Sequence, residues 1–478
     1  MAKGAAFFDL DRTILRGASG PTLGDALREV GLISGQPLPG QGLMFKFFDL
    51  FGETRPSMWI TRQGARLAKG WDRGQVEKAG QLAAPRLAEA VLPYAKVLIT
   101  EHREAGRPVV LTTTTPYDLI RPFVDEMGLD DVVATRYGVE EGRYDGTIDG
   151  EFVWGRGKLR AVREWADGRQ VDLRQSYAYS DSYYDRPLLS AVGHPTAVNA
   201  DPRLMAMAAA RRWPSIHLDV PPGVPKFAGL EPQQVLMILA RPELFPFVRF
   251  RLFGAQNIPQ QGPAIIVANH RSYFDPLAVG MALAQRGRPV RGLGKKEVFD
   301  APVVGEMAKA LGGIRVDRAT GSEEPLVHAK EALDAGELVM IMPQGTIPRG
   351  REFFSPELKG RWGAARLAEA ARVPVIPMGM WGTEKVWPRS SRLPYLWNVT
   401  NPPVVTVRVG QPVHLEYTDV DEDTKHIMAA IGGLLPPEAH AGHEPTPEEL
   451  ARTYPPGHSP EDSTAEAEHE SDRRPGTD

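Results

Sequence analysis

Eight short apolar runs, four on each side of a proline-rich break, limit this chain to few architectures. The first four are AAFFDLD, RPVVLTTTT, SYAYSD and TAVNAD; the second four are PAIIVAN, ELVMIMP, VPVIPMGM and VVTVRVG. Apolar runs of this length, separated by helical stretches, are the signature of strands in a largely parallel sheet covered by helices. The fold class is therefore α/β, twice over. Between the two sets, Pro221, Pro222 and Pro225 stiffen the segment PPGVP into a linker. The expected division is a first domain over 1–220, a linker over 221–231 and a second domain over 232–436. A length of 478 residues suits two cores and a tail better than one core.

Two stretches break the pattern. Between Arg16 and about Val97 the strand-like runs disappear and helical periodicity takes over, so a helical cap over about 16–97 is expected after the first strand. Over 437–478 the chain is rich in Glu, Asp, Pro, Ser, Thr and His and poor in large apolar residues. Such a segment buries too little surface to offset its ordering entropy, and an acidic disordered tail is expected there.

Composition excludes several classes. There is no cysteine, so disulfides, thiolate metal sites and a cysteine nucleophile are ruled out. A formal net charge of −4 gives no overall basic field for nucleic acid. The apolar run at the N-terminus meets Asp9 and Asp11 at once, unlike a signal peptide. No uninterrupted apolar stretch reaches the roughly 18 residues that a spanning helix needs.

Asp9 and Asp11 end the first apolar strand, and period-two alternation puts both carboxylates on one side of the chain. Two acids in a small site repel unless a cation or proton intervenes, which suits Mg²⁺ and a substrate phosphate; taken alone, the pair reads first as a solvated strand-end turn. Its partners add weight. Thr113 ends the next strand, Lys158 stands at a helix start in WGRGKLR, and Asp181 and Asp185 follow a third strand in YSDSYYD. Acids and donors gathered at strand ends are what an open α/β site requires.

In this order FFDLDRT, LTTTT, GRGK and DSYYD resemble the haloacid dehalogenase superfamily, in its phosphoserine-phosphatase-like branch, over about residues 3–215. The resemblance implies a Rossmann-like domain and a Mg²⁺-dependent phosphomonoester phosphatase. It makes Asp9 the nucleophile and Asp11 the general acid/base. Thr113 and Lys158 hold the phosphoryl group, and Asp181 ligates Mg²⁺ with support from Asp185. The metal set is then Asp9, Asp11, Asp181 and Asp185. TTTT departs from the branch, which usually shows serine and a small residue.

In the second half, PAIIVANHRSYFDP carries the chemistry. A strand ends at Asn269-His270, and Pro276 suits a first helical position with Asp275 as its N-cap. The chain can then loop back and bring Asp275 to His270, fixing the imidazole tautomer for a general base. An N-cap aspartate beside an incidental loop histidine is the plainer alternative. With GGIRVDR ending at Arg318, MPQGT over 342–346 and VPVIP over 373–377, this segment resembles the four blocks of the glycerolipid acyltransferases, typified by 1-acylglycerol-3-phosphate O-acyltransferase. The resemblance covers about residues 245–415. It implies His270 as general base, Asp275 as its partner, and Arg318, Gly345 and Thr346 as the acceptor-phosphate site. Acyl-CoA or acyl carrier protein is the implied donor, lysophosphatidate the acceptor and phosphatidate the product. Gln344 departs from the family, which usually has glutamate there.

Residues 232–253 interleave apolar and aromatic positions with Arg241, Arg249 and Arg251. Interfacial helices on a phospholipid surface are expected, with the protein peripheral on the cytoplasmic side and no nucleic acid among its partners. Two further readings stay open: a catalytically idle first half, or a soluble phosphomonoesterase whose second half tethers it to membrane.

Overall fold

A computed structural model describes residues 4–33, 55–226, 229–316 and 324–458. The chain forms two compact units, Met1–Pro222 and Gly223–Asp478, close to the boundary set by the proline linker.

The first unit is built on strands β1 (Ala6–Phe8), β2 (Val109–Pro116), β3 (Asp131–Glu140), β4 (Arg143–Asp149), β5 (Tyr177–Ser180), β6 (His194–Val198) and β7 (Ser215–Ile216). They lie in the order β4-β3-β2-β1-β5-β6-β7. Only β4 runs antiparallel, to β3. The chain builds outward from β1 on one side and then returns to fill the other. The carboxyl ends of β1, β2 and β5 therefore meet at the reversal, where open α/β sheets place their sites. Phe7, Val110 and Ala178 on adjacent strands are buried in one cluster with Val162, Leu189 and Leu204.

Between β1 and β2 the described residues are helical, as the lost strand pattern requires: α1 (Gly20–Glu29), α2 (Arg55–Leu67), α3 (Arg73–Glu89) and α4 (Pro93–Glu104). Asp72 caps α3 by accepting from the Gln75 N–H at 3.0 Å.

The second unit has strands β8 (Arg249–Phe253), β9 (Ala264–Ala268), β10 (Val290–Lys295), β11 (Ile314–Val316), β12 (Leu338–Ile341), β13 (Val375–Trp381) and β14 (Val404–Val409). Their order is β11-β10-β12-β9-β13-β14-β8. Strands β11 to β13 in that order are parallel, and β14 is antiparallel to β13. Ile265 and Val267 enter one core cluster, while Ala264, Ile266 and Ala268 enter the other. Burial on both faces is why PAIIVAN reads as a continuous apolar run.

Two expectations need correction. Residues 249–253 are an edge strand paired with β14, not an interfacial helix, because alternating Phe250 and Leu252 pack inward while Arg249, Arg251 and Phe253 face out. Only Pro232–Leu239 and a short turn at Pro242–Leu244 are helical there. The tail also orders later than expected. Pro447–Arg452 is a helix with a Thr446–Glu449 capping box. Thr453 and Tyr454 are buried, and the Thr453 hydroxyl accepts from the Gly350 N–H at 2.8 Å. Residues 459–478 lie outside the described residues. No helix among the described residues is long and apolar enough to cross a membrane.

Candidate functional site

Each unit gathers its polar groups at the carboxyl ends of its central strands. In the first, Asp9 follows β1, Asp181 follows β5, and Lys158 stands in the first turn of α5 (Arg156–Gly168). Lys158 is only 1% exposed. Its Nζ donates to Asp9 Oδ1 at 2.8 Å and to Asp185 Oδ2 at 2.6 Å. A buried ammonium survives only with such pairing. Burial pushes the Asp9 carboxyl up to about 6, with Lys158 opposing and Asp185 and Asp11 adding to the rise.

Residues to which the sequence reading gave no role complete the cluster. The buried Thr13 hydroxyl accepts from the Asp181 N–H at 3.0 Å and lies 3.4 Å from both Asp9 Oδ2 and Asp181 Oδ1. Thr13 thus locks the β1 end to the β5 end. Ser180 Oγ donates to Asp185 Oδ2 at 2.8 Å, and Arg12 Nε lies 3.3 Å from Asp181 Oδ2. Thr13 stands in FFDLDRT, so its place in the signature was visible but its contact with a residue 168 positions away was not.

Two expected residues behave differently. Asp11 turns its carboxylate to the Ser19 N–H at 2.6 Å, at the start of α1, so the helical insertion begins on the site itself. Thr113 keeps its hydroxyl within the strand end, donating to Thr115 Oγ1 and accepting from the Thr115 N–H, both at 3.2 Å.

Among the described residues, no group of three or more acids or histidines converges tightly enough to cage a metal alone. Mg²⁺ does not need such a cage, since it keeps waters and takes one or two carboxylates with substrate phosphate. The donor chemistry fits: Lys158 reaches Asp9 and Asp185, Arg12 reaches Asp181, and buried Asp185 Oδ1 has no hydrogen-bond partner.

In the second unit, Asn269 extends β9 through its side chain. Its amide donates to the Met380 carbonyl at 2.9 Å and accepts from the Met380 N–H at 2.7 Å. That bond fixes the chain where it leaves the sheet. His270 follows, with Nδ1 2.8 Å from Asp275 Oδ2. The same carboxylate oxygen accepts from the Arg271 N–H at 2.6 Å and the Ser272 N–H at 2.8 Å. Asp275 is 0% exposed. A carboxylate can only accept, so Nδ1 carries the proton and Nε2 is left as the basic nitrogen.

The loop closes as the sequence suggested, with one change. The helix α7 (Asp275–Ala284, the next after α6 at Pro232–Leu239) takes Asp275 into its first turn, so Asp275 holds the loop and does not cap the helix.

Gln344 explains its own departure from the expected glutamate. Its Oε1 accepts from the His270 N–H at 2.7 Å. A neutral amide carbonyl can accept this bond, so the tie between the loops after β9 and β12 needs no charge. Gly345 sits at φ +74°, a conformation glycine adopts without strain. Thr346 Oγ1 accepts from Lys295 Nζ, at the end of β10, at 3.1 Å. Arg318 lies outside the described residues. Arg271, with Glu384 at 3.3 Å, stacks between Phe353 and Trp381 at 4.2 and 4.3 Å from their ring centres.

Comparison with known proteins finds a family for each half of the chain. The family model for haloacid dehalogenase-like hydrolases matches residues 6–190, and that for acyltransferases matches residues 249–381. The inhibition of morphological differentiation protein of Streptomyces azureus is 36% identical over 45% of this chain and 79% of its own length. A phosphoserine phosphatase of Mycobacterium tuberculosis is 31% identical over 44% of this chain and 69% of its own. The solved 1-acyl-sn-glycerophosphate acyltransferase of Thermotoga maritima aligns at 21% identity over 42% of this chain and 79% of that one, with a TM-score of 0.31. The chain belongs to the haloacid dehalogenase-like hydrolases through its first domain and carries an acyltransferase domain in its second.

Proposed function

We propose that the second domain transfers an acyl group from acyl-CoA or acyl carrier protein to a lysophosphatidate-type acceptor, giving phosphatidate. The observation that carries this reading is the His270 Nδ1–Asp275 Oδ2 bond. It leaves Nε2 to take the proton from the acceptor hydroxyl as its oxygen attacks the thioester carbonyl. The thiolate then leaves and regains that proton from the imidazolium. Thr346, Lys295 and Arg318 supply donors for the acceptor's phosphate. The exposed apolar side chains of α6, among them Leu236 and Ile238, fit a peripheral position on phospholipid.

The first domain hydrolyses a phosphomonoester. Asp9 attacks phosphorus, the alcohol leaves with a proton from Asp11, and water then releases phosphate from the aspartyl group with Asp11 as base. Lys158 holds Asp9 in place and offsets anionic charge. Mg²⁺, held by Asp9 and Asp181 with Asp185 behind them, supplies further charge screening when bound. The complete set of ion pairs around Lys158 favours this over an idle scaffold.

Purified full-length protein, assayed side by side for CoA release with lysophosphatidate and for phosphate release from a phosphomonoester panel with Mg²⁺, tests both halves. Loss of the first activity alone in His270→Ala and of the second alone in Asp9→Asn is the expected result. A folded His270→Ala protein with undiminished transfer overturns the first assignment. Absence of turnover together with no aspartyl-phosphate or beryllofluoride adduct at Asp9 overturns the second.

A further inference from the structure

The segment joining β13 to β14 shows its apolar side chains to solvent. Trp397 is 93% exposed and Leu393 72%, and Tyr395, Leu396 and Val399 are exposed with them. Tryptophan is seldom left so bare in water, and Trp and Tyr favour the boundary between apolar and polar phases.

The segment is fastened to the His270 loop. Ser272 Oγ donates to the Trp387 carbonyl at 2.5 Å, and the Tyr273 and Trp387 rings meet edge-on at 5.7 Å. Tyr395 N–H then donates to the Val386 carbonyl at 2.9 Å. Topology puts more of the same chemistry beside it. β14 starts at the carboxyl end of β13, because the two are antiparallel, and β8 starts there too, because it is parallel to β14. The Arg249 N–H donates to the Pro403 carbonyl at 2.9 Å, so exposed Leu244 and Arg249 flank the loop at the His270 end of the sheet.

The loop's own charge is positive, and Glu384 just before it is ion-paired with Arg271. From Leu244 to Phe274 and from Lys385 to Leu415 the sequence contains no aspartate or glutamate, yet it places Arg249, Arg251, Lys385, Arg392 and Arg408 in these stretches. An apolar, aromatic loop that carries Arg392 and has no acid between Lys385 and Pro403 complements an anionic lipid surface.

We propose that the 393–399 loop inserts into the interface of an anionic phospholipid membrane, as a contact separate from α6, and sets the mouth of the His270 site against the lipid. The proposal rests on the acyl-transfer reading only for why the site should face lipid.

The test uses the full-length protein and vesicles of phosphatidylglycerol or phosphatidylcholine. The double variant Leu393→Ser/Trp397→Ser changes only exposed side chains. Its partitioning onto phosphatidylglycerol vesicles is expected to fall at least tenfold, and wild type is expected to prefer these vesicles to phosphatidylcholine. Brominated lipids should quench wild-type fluorescence more than that of Trp397→Phe. Undiminished partitioning of the double variant, equal quenching, or equal binding to both lipids overturns the proposal. So does a wild-type dimer that the substitutions dissociate while vesicle binding stays unchanged, since the loop then covers a second copy. Transfer to a short-chain, water-soluble acceptor is measured in parallel. If it is absent in wild type, the acyl-transfer reading fails, while the binding experiment still judges the loop.

Discussion

Lys158 in the first domain is sealed from solvent and clasps two carboxylates, whereas the His270 side chain in the second is 21% exposed and leans on one. The hydrolase cluster concentrates several full charges in a dry place, so each charge depends on its partner for solvation. The acyltransferase pair buries only the aspartate, whose Oδ2 takes two backbone amides besides the histidine. Chemistry and stability should therefore be inseparable in the first site and nearly separable in the second.

The largest effect expected is in Asp9→Asn, which keeps an acceptor for Lys158 but removes the nucleophile. Phosphate release should drop to background and urea unfolding should shift to lower denaturant, because buried Lys158 loses one of its two carboxylate charges, while CoA release stays at the wild-type level. His270→Ala should follow, lowering transfer by about 10²–10⁴-fold, the range for loss of a general base, with phosphate release unchanged.

Lys158→Met sharpens the contrast. It strands Asp9 and Asp185 in the interior and should cost the first domain about 3–5 kcal/mol in denaturant unfolding. Adding Asp185→Asn should restore part of that loss. If Lys158→Met is no less stable than His270→Ala, the contrast between the sites is wrong.

A pH effect belongs to the first domain. Buried His102 accepts from Arg107 Nε at Nδ1 (2.7 Å) and bonds Tyr179 through Nε2 (2.8 Å). A second ring proton would point at the guanidinium. Burial, aided by Arg107, brings its pKa from 6.5 to about 4. The unfolded chain therefore takes up the proton more readily. Stability is full above pH 6.5 and declines as pH falls to 4, by about 3 kcal/mol. Unfolding curves of wild type and His102→Gln across that window should converge at the acid end.

The smallest effect concerns Gln344. Gln344→Glu keeps an acceptor for the His270 N–H and should alter transfer by less than about fivefold, whereas Gln344→Ala leaves that donor unpaired at a cost of about 1–3 kcal/mol. A large loss in Gln344→Glu would show that the neutral amide matters for its lack of charge.

Much of both sites was legible because the residues that do chemistry cluster within short segments: Asp9 and Asp11 in one strand end, His270 and Asp275 five positions apart. Local rules of strand alternation and proline geometry apply over such spans. Ser180 acts locally, on Asp185, but no motif marked it. Thr13 was not legible as a site residue, and Gln344 was legible only as a departure within its block, since each works on a partner brought from another strand end. The 249–253 segment was misjudged for the same kind of reason. Its Phe and Arg alternation suits a membrane-facing helix or an edge strand, and pairing with β14 decides between them.

By itself, the sequence determined two α/β domains, their boundary near Pro222, and the strand ends from which chemistry would come, because apolar runs and proline act locally. Tertiary structure alone decided that Lys158 is shared by Asp9 and Asp185, that Gln344 ties down the His270 loop, and that residues 447–454 order against Gly350. Those outcomes depend on strand order and on which distant groups remain to satisfy a buried donor or charge, and no local pattern encodes either.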